Sequence, residues 1–432
     1  MEKQTRFDLP GDPTPRFVRL PSSWLGQLVK PDSVSSAIDP RALVARALDH
    51  PIGSPRLEEI AKPGQKVALV VDDMTRHTPA RLALPLLIER LGRAGVTARD
   101  ICIVVALGTH RMMNEAELVN KLGREVIGRY RIVQSNWAAE DEMVYLGQSE
   151  NGIPAWVNQE VAGADLHIAL GMITPHMDAG FSGGAKMILP GVCGKQTVDA
   201  FHIRSAYEPG NILGDPLASL RLTLEQFVQE HRLLDFILDL VLTPADEVYG
   251  CVAGHPVDAH RQGVRLAQQV YGASTPEPYP VTVANCAPYQ QDLWQSCKGL
   301  WCGDLLTADG GTLIWVTSAP EGTLNYPHLP DYIGSPPDKL RRQFETGPII
   351  DPLSAATGLM IGRMKQRVRI VLVSEGLKPE DAARMDLPYY PSVEPAVADA
   401  VNYLPPAERA RSVAVIPQAG IVLPIFEVDR IC

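Results

Sequence analysis

Four basic side chains sit beside glycines and prolines. They are His110 in Leu107-Gly-Thr-His110-Arg, His176 in Gly171-Met-Ile-Thr-Pro-His176, Lys186 in Gly180-Phe-Ser-Gly-Gly-Ala-Lys186 and His202 in Thr197-Val-Asp-Ala-Phe-His202. Histidine is the side chain whose proton moves most easily near neutral pH, and it is the commonest metal ligand. A lysine behind a glycine loop can reach a phosphate or form a covalent adduct. This combination of residue types points to an enzyme.

Something must hold these groups in place, and the surrounding sequence supplies an alternating pattern of strands and helices. Lys66-Val-Ala-Leu-Val-Val-Asp72 predicts a buried strand, followed by a helix from Pro79 to Arg93. Ile101 to Leu107 and Ala164 to Leu170 predict two more buried strands. Near-continuous apolar strands alternating with helices mean a parallel sheet covered on both faces. Each strand delivers polar residues at its C-terminal end: Asp72, Asp73 and Arg76 after the first, Thr109 and His110 after the second, Thr174 and His176 after the third. Ligands bind at that edge in open α/β sheets.

Ser274-Thr-Pro-Glu-Pro-Tyr-Pro280 reads as an interdomain linker. A second α/β series follows, with strands at Val281 to Asn285, Gly311 to Thr317 and Val368 to Val373, and helices near Gln290 to Leu306, Asp338 to Phe344, Pro352 to Lys365 and Ser392 to Tyr403. Ser412 to Pro417 adds a last strand. The expected organisation is two Rossmann-like α/β domains, residues 1–274 and 281–432, with the active site in the cleft between them.

Each cluster has a plain structural reading beside the chemical one. The Gly180 to Lys186 loop offers backbone N–H groups and the Ser182 hydroxyl to a phosphate, or it is an ordinary glycine turn. It is not a Walker A loop, because Ala185 precedes the lysine and Met187 follows it. Asp73 or Thr75 could cap a helix with Arg76 on the surface, or Arg76 could grip a carboxylate or phosphate through two parallel hydrogen bonds. Trp294, Gln295 and Lys298 share a helix face by their spacing, either closing over a ligand or forming an amphipathic stripe. His50, His77, His167, His231, His255, His260 and His328 read as surface or structural, with His167 in the core of a strand.

Composition narrows the rest. The 432 residues favour two domains; 45% are hydrophobic and 21% charged, and no stretch approaches the roughly 18 to 20 apolar residues that span a bilayer. A diffuse charge of −10 without a basic stripe argues against a nucleic-acid partner. Seven scattered cysteines without a C-x-x-C pair argue against a disulfide framework. The opening Met1 to Asp8 lacks the apolar core of a signal peptide, so a cytoplasmic location is expected.

These motifs, in this order, resemble the nickel-pincer nucleotide lactate racemase family. The likeness runs from Lys62-Pro-Gly64 through Asp73-Met-Thr-Arg76, Gly108-Thr-His110, Thr174-Pro-His176, the Gly180 to Lys186 loop, Pro190-Gly191 and His202 to Gln295-Ser-Cys-Lys298-Gly. The resemblance implies a covalently attached cofactor, a pyridinium mononucleotide whose two sulfur-bearing arms and ring carbon grip nickel. By that likeness Lys186 is the tether, Ser182, Gly183 and Gly184 cradle the phosphate and His202 ligates nickel. His110 and His176 are then the acid and base, while Asp73, Arg76, Gln295 and Lys298, beside Trp294, hold a 2-hydroxy acid.

A flat S, C, S chelate leaves one in-plane position on square-planar nickel, which one imidazole fills. Hydride transfer through a 2-keto acid would racemise the substrate, with a histidine serving each position of the hydroxyl. Cofactor-biosynthesis enzymes are the implied partners. The sequence departs from the family pattern at Trp294, where a tyrosine is frequent, and at Ala185, where an arginine commonly precedes the lysine; both changes touch the substrate pocket. Two other readings stay open. One is an NAD(P)-dependent 2-hydroxyacid oxidoreductase, which lacks its G-x-G-x-x-G fingerprint here. The other is a non-catalytic cofactor or nickel carrier, which would have no use for both His110 and His176.

Overall fold

The computed structural model describes residues 3–11 and 16–427. By packing, these divide into two units that are not the two contiguous halves expected. One unit is Ser33–Phe201 with Gly214–Val270; the other holds the described parts of Met1–Asp32, His202–Leu213 and Tyr271–Cys432. The sequence-level boundary near residue 275 lies close to the observed one at Val270/Tyr271. The N-terminal segment departs because Leu25–Leu28 pairs in parallel with Val413–Ile416, at the edge of the second sheet. Such pairing across nearly the whole chain leaves no local mark in the sequence.

In the first unit a six-stranded sheet runs in the order Val248–Gly254, Phe236–Leu242, Leu166–Met172, Val67–Asp72, Ile101–Ala106, Arg131–Ser135. All neighbours are parallel except the Val248–Gly254 edge strand. Every residue of Val67–Asp72 and of Leu166–Met172 is buried, as strands covered on both faces require. Leu69, Val71, Leu170 and Leu238 pack with Leu84, Leu87 and Leu91 of the Ala80–Arg93 helix in one apolar core. From Val67–Asp72 the chain builds outward to one side through Ile101–Ala106 and Arg131–Ser135, then returns to the other side as Leu166–Met172. The sheet therefore has its topological switch point between Val67–Asp72 and Leu166–Met172, where ligands bind in such folds. His167 sits in that last strand, buried, as expected of a core residue.

The second unit has its own six-stranded sheet, wholly parallel, in the order Tyr389–Tyr390, Arg369–Ser374, Thr307–Thr317, Tyr279–Asn285, Val413–Ile416, Leu25–Leu28. Val283, Ile314 and Val371 pack against Val393, Val397 and Val401 of the Val393–Tyr403 helix. The helix expected over Gln290 to Leu306 is two segments, Leu293–Ser296 and Lys298–Leu306. Cys297 between them keeps helical angles (φ −56°, ψ −28°), so the side-chain spacing survives. The expected linker is not extended coil throughout, since Gly272–Thr275 pairs in parallel with Leu423–Phe426. Among the described residues no helix is long and apolar enough to cross a membrane.

Candidate functional site

The switch point of the first sheet carries the residues singled out in the sequence. Asp73 follows Val67–Asp72, His110 lies in the turn after Ile101–Ala106, and His176 follows Leu166–Met172. Asp73 is 2% exposed, and both its oxygens are engaged: Oδ2 stands 2.7 Å from His110 Nδ1, and Oδ1 accepts from the Thr75 hydroxyl at 2.6 Å. Burial alone would raise the pKa of this carboxyl. The charge and hydrogen bond of His110, with Arg76 and Thr75 behind them, outweigh burial and hold it well below the usual carboxylate range. Arg76 Nη1 donates to Thr75 Oγ1 at 2.9 Å, completing a chain from guanidinium to imidazole. Arg76 also lines a cavity of about 740 Å³ with Arg41, His77, Arg81 and Lys121. Asp73 was expected to hold substrate directly; its two contacts give it the orientation of His110 as its visible task.

The histidines differ in what their Nδ1 atoms do. An ionised Asp73 can only accept, so His110 Nδ1 carries the proton toward it and in the neutral ring Nε2 keeps a lone pair. His176 Nδ1 accepts the backbone N–H of Asp178 at 3.1 Å, so in the neutral ring the proton is on Nε2. The neutral rings therefore present different Nε2 atoms, a lone pair on His110 and an N–H on His176.

Lys186 lies in the short helical turn Gly184–Met187 that ends the glycine loop. Among the described residues no hydrogen bond or ion pair engages its amine. Part of its surface is exposed, yet burial of the amine, and next the nearby Arg76, lower its pKa to about 8; Asp178 and Asp73 oppose the shift and Arg221 adds to it. A substantial neutral fraction near pH 8 makes it a competent nucleophile.

The loop is shaped by close approaches only glycine permits. Gly183 and Gly184 have φ of 74° and 55°, and a Cβ on them would fall 2.7 Å from Asp239 Oδ2 and 2.6 Å from Arg221 Nη2. The Ser182 hydroxyl, expected to face a ligand, donates to the Met172 carbonyl at 2.8 Å and also stands 3.0 Å from Thr174 Oγ1, tying the loop to the strand end.

Asp239, Arg221 and His260 were not legible as site residues. His260, read as surface or structural, is wholly buried beneath the loop, with Nε2 2.9 Å from the Ser182 carbonyl. The one signal for Asp239 was a carboxylate inside the otherwise apolar strand Phe236–Leu242.

The remaining candidates fall in the second unit. His202 is buried in the Lys195–Ala206 helix, which continues one turn past the expected end at His202. Trp294 stacks on Tyr326 at 4.5 Å between ring centroids. Lys298 donates to Gln295 Oε1 at 2.5 Å, and its ammonium lies 4.2 Å from the Tyr289 ring centroid. Asp292 caps the Leu293–Ser296 helix through Gln295 N–H at 2.7 Å and so fixes where this face begins.

Comparison with known proteins finds relatives along most of the chain. Residues 14–214 match the model of the lactate racemase N-terminal domain, a span that contains Asp73, Arg76, both histidines of the sheet edge, Lys186 and His202. The lactate racemase of Lactiplantibacillus plantarum is 27% identical over 414 residues, covering 93% of this chain and 95% of that protein. The lactate racemase of Thermoanaerobacterium thermosaccharolyticum is 29% identical over 286 residues, 65% of this chain and 66% of that one. The solved lactate racemase apoprotein from the latter organism superposes with a TM-score of 0.84 at 24% identity, covering 98% of this chain and all of that one. A Thermotoga maritima protein superposes at 0.68 with 18% identity, covering 91% of this chain and 100% of that one. At those identities the two structures speak for the fold alone. With the family domain lying across the residues that the sheet edge gathers, and likeness to a lactate racemase over nearly the full length, residues 14–214 carry the lactate racemase N-terminal domain and the chain is an isomerase of the racemase class.

Proposed function

We propose that the chain racemises or epimerises a 2-hydroxy acid, with His110 and His176 as the acid-base pair. The observation that carries this reading is the opposite setting of the two rings, Nδ1 of one donating and Nδ1 of the other accepting. His110 Nε2 takes the hydroxyl proton of one antipode. His176, first protonated on both ring nitrogens, returns its Nε2 proton when the hydroxyl re-forms on the other side of a planar 2-keto acid and ends as a neutral ring, and the roles exchange in the reverse direction. Asp73 holds the His110 ring and its tautomer, and Arg76 grips the substrate carboxylate. Gln295 and Lys298, beside Trp294, complete the substrate contacts by analogy with the family.

Likeness to lactate racemases implies a nickel-dependent enzyme, and we infer that the metal arrives in a pyridinium mononucleotide joined to Lys186. The residues suit such a group: an amine with no bonded partner among the described residues, a hydroxyl and glycines in the loop just before it, and an imidazole at His202 for the metal. Ser182, Gly183 and Gly184 would meet its phosphate. When bound, the group supplies the hydride acceptor for C2. The protein would act inside the cell, where the enzymes that build the cofactor are at hand.

Protein produced in a host with those biosynthetic enzymes and offered single antipodes of several 2-hydroxy acids tests the reading. It should interconvert at least one pair, and the Lys186 peptide should carry added mass of mononucleotide size. Loaded protein that leaves every antipode unchanged would overturn the assignment.

A further inference from the structure

Beneath the glycine loop lies a layer of buried ionisable groups with no part in the acid-base chemistry. Arg221, on the Ser219–Glu230 helix, is fully buried; its Nη1 donates to the carbonyls of Gly183 at 3.1 Å and Phe181 at 3.4 Å. His260 Nε2 donates to the intervening carbonyl of Ser182 at 2.9 Å. Its Nδ1, 3.3 Å from Arg261 Nη1, accepts, which fixes the Nε2–H tautomer. Asp239 Oδ2 accepts the Gly184 N–H at 2.8 Å. Glu225 anchors the layer, pairing with Arg221 Nε at 2.7 Å and with both Arg261 terminal nitrogens at 2.7 Å. Three successive loop carbonyls and the next amide are thus held by side chains from three separate elements.

An ordinary structural turn does not need this. Burying the Arg221 guanidinium, the His260 imidazole and the Asp239 carboxylate costs several kcal/mol of desolvation that a hydrophobic layer would avoid. The layer is not even fully satisfied, since Arg221 Nη2 and Asp239 Oδ1 are buried without a partner. Two residues beyond the last clamped amide comes Lys186.

We propose that Arg221, His260 and Asp239 are positioning residues that fix the backbone of residues 181–184 and thereby aim the Lys186 amine for covalent attachment. This rests on the reading of Lys186 as the tether. The clamp holds the carbonyls of Phe181, Ser182 and Gly183 together with the Gly184 N–H, while the Ser182 N–H is held by the Thr174 carbonyl. It also keeps the amine within reach of Arg76 and Arg221, which disfavour its protonated form, while Asp178 and Asp73 stand on the opposing side of that balance.

The test uses full-length protein made without the cofactor-supplying enzymes. Lys186 is labelled with acetic anhydride across pH, and the extent is read by peptide mass spectrometry. In the parent the labelling midpoint should lie at about 8. His260→Leu and Asp239→Leu remove a clamp bond, and their midpoints should move toward the ordinary lysine value of about 10.4. His260→Gln and Asp239→Asn keep a donor or an acceptor in place and should restore the parent profile. When the same variants are made in the cofactor-competent host, the Lys186 adduct should fall at least about tenfold in the leucine pair and persist in the conservative pair.

If a leucine variant does not fold, Gly184→Ala gives the same readout, because its Cβ drives the loop off Arg221 Nη2 and His260 while leaving the clamp residues intact. Folded variants that label and load like the parent would overturn the proposal. A parent whose Lys186 never gains mass in the competent host would instead sink the tether reading, leaving the labelling result to stand by itself.

Discussion

The two sheets share a parallel architecture and differ at their carboxyl-terminal edges. At the edge that carries Lys186, charged groups are buried: Asp72, Asp73, Asp239, Arg221 and His260. Three of the polar atoms there, Asp178 Oδ1, Arg221 Nη2 and Asp239 Oδ1, have no partner. At the other edge most buried groups are neutral, and the buried carboxylate Asp292 has both oxygens engaged, by the Gln295 N–H and by Asn325 Nδ2. Asn285 Nδ2 donates to the carbonyls of Pro10 and Pro417 at 2.7 Å each, and Gln290 Oε1 accepts the Ser318 N–H at 3.0 Å. The charged contact there, Arg16 with Glu375, has its carboxylate 59% exposed. Among the described residues the unpartnered buried atom at one edge is the neutral Thr317 hydroxyl, whereas the other edge leaves charged groups uncompensated, the condition that shifts pKa values and marks functional sites.

Substitutions should separate the two edges by the kind of damage they do. The largest effect is expected from His110→Ala and His176→Ala, each lowering kcat by about 10² to 10⁴ while the Lys186 adduct and nickel remain. Steady-state kinetics beside elemental analysis checks this. A variant with near-parent kcat in both directions would remove that histidine from the pair.

Asp239→Asn, which keeps the bond to the Gly184 N–H, should show itself in stability rather than rate. Burial, opposed by the Gly184 N–H and Arg221, raises the pKa of Asp239 from 3.8 to about 7. The folded state then binds the proton more tightly than the unfolded chain, so this contribution is fully present below pH 4 and is lost as pH rises to about 7. Asp239→Asn should therefore gain on the parent across that window, by up to about 4 kcal/mol, and change no further above it. Denaturant melts at pH 4, 5.5, 7 and 8.5 measure the difference, and a flat difference would mean that the carboxyl stays ionised.

Arg76→Ala comes next. Losing a charge-assisted carboxylate contact should cost about 1.5 to 3 kcal/mol, or roughly ten- to hundredfold in kcat/KM, with the adduct retained. Unchanged efficiency toward all accepted substrates would return Arg76 to a purely structural chain with Thr75. The smallest effect belongs to the other edge: Glu375→Ala should leave turnover alone and lower stability by less than about 1 kcal/mol, as for exposed pairs generally. A measurable loss of turnover would erase the contrast between the edges.

How much of this could be read beforehand follows from how local each signal is. The strands at Val67–Asp72, Ile101–Ala106 and Leu166–Met172 announce themselves by unbroken apolar runs, and His110, His176 and Lys186 by the glycines and prolines next to them. Leu25–Leu28 gave no such sign, because a four-residue strand joining a partner almost 400 positions away is defined by its register alone. Arg221 sits in a helix among leucines and His260 in one among charged and polar residues, where a basic side chain normally means a solvated face. Only the folded loop reveals that their donors end on Phe181, Ser182 and Gly183. The inverse holds for Asp73, whose motif was plain but whose partner, His110, comes from the next strand.

The central claim is that the histidines move only the hydroxyl proton and leave the C2 hydrogen to travel as hydride. Racemisation of a protiated 2-hydroxy acid in heavy water, followed by mass spectrometry at C2, tests it most directly. Inverted product that retains its original C2 hydrogen, with a trace of 2-keto acid on acid quench, is the predicted result; one deuterium gained at C2 per inversion would contradict it and make His110 and His176 carbon bases.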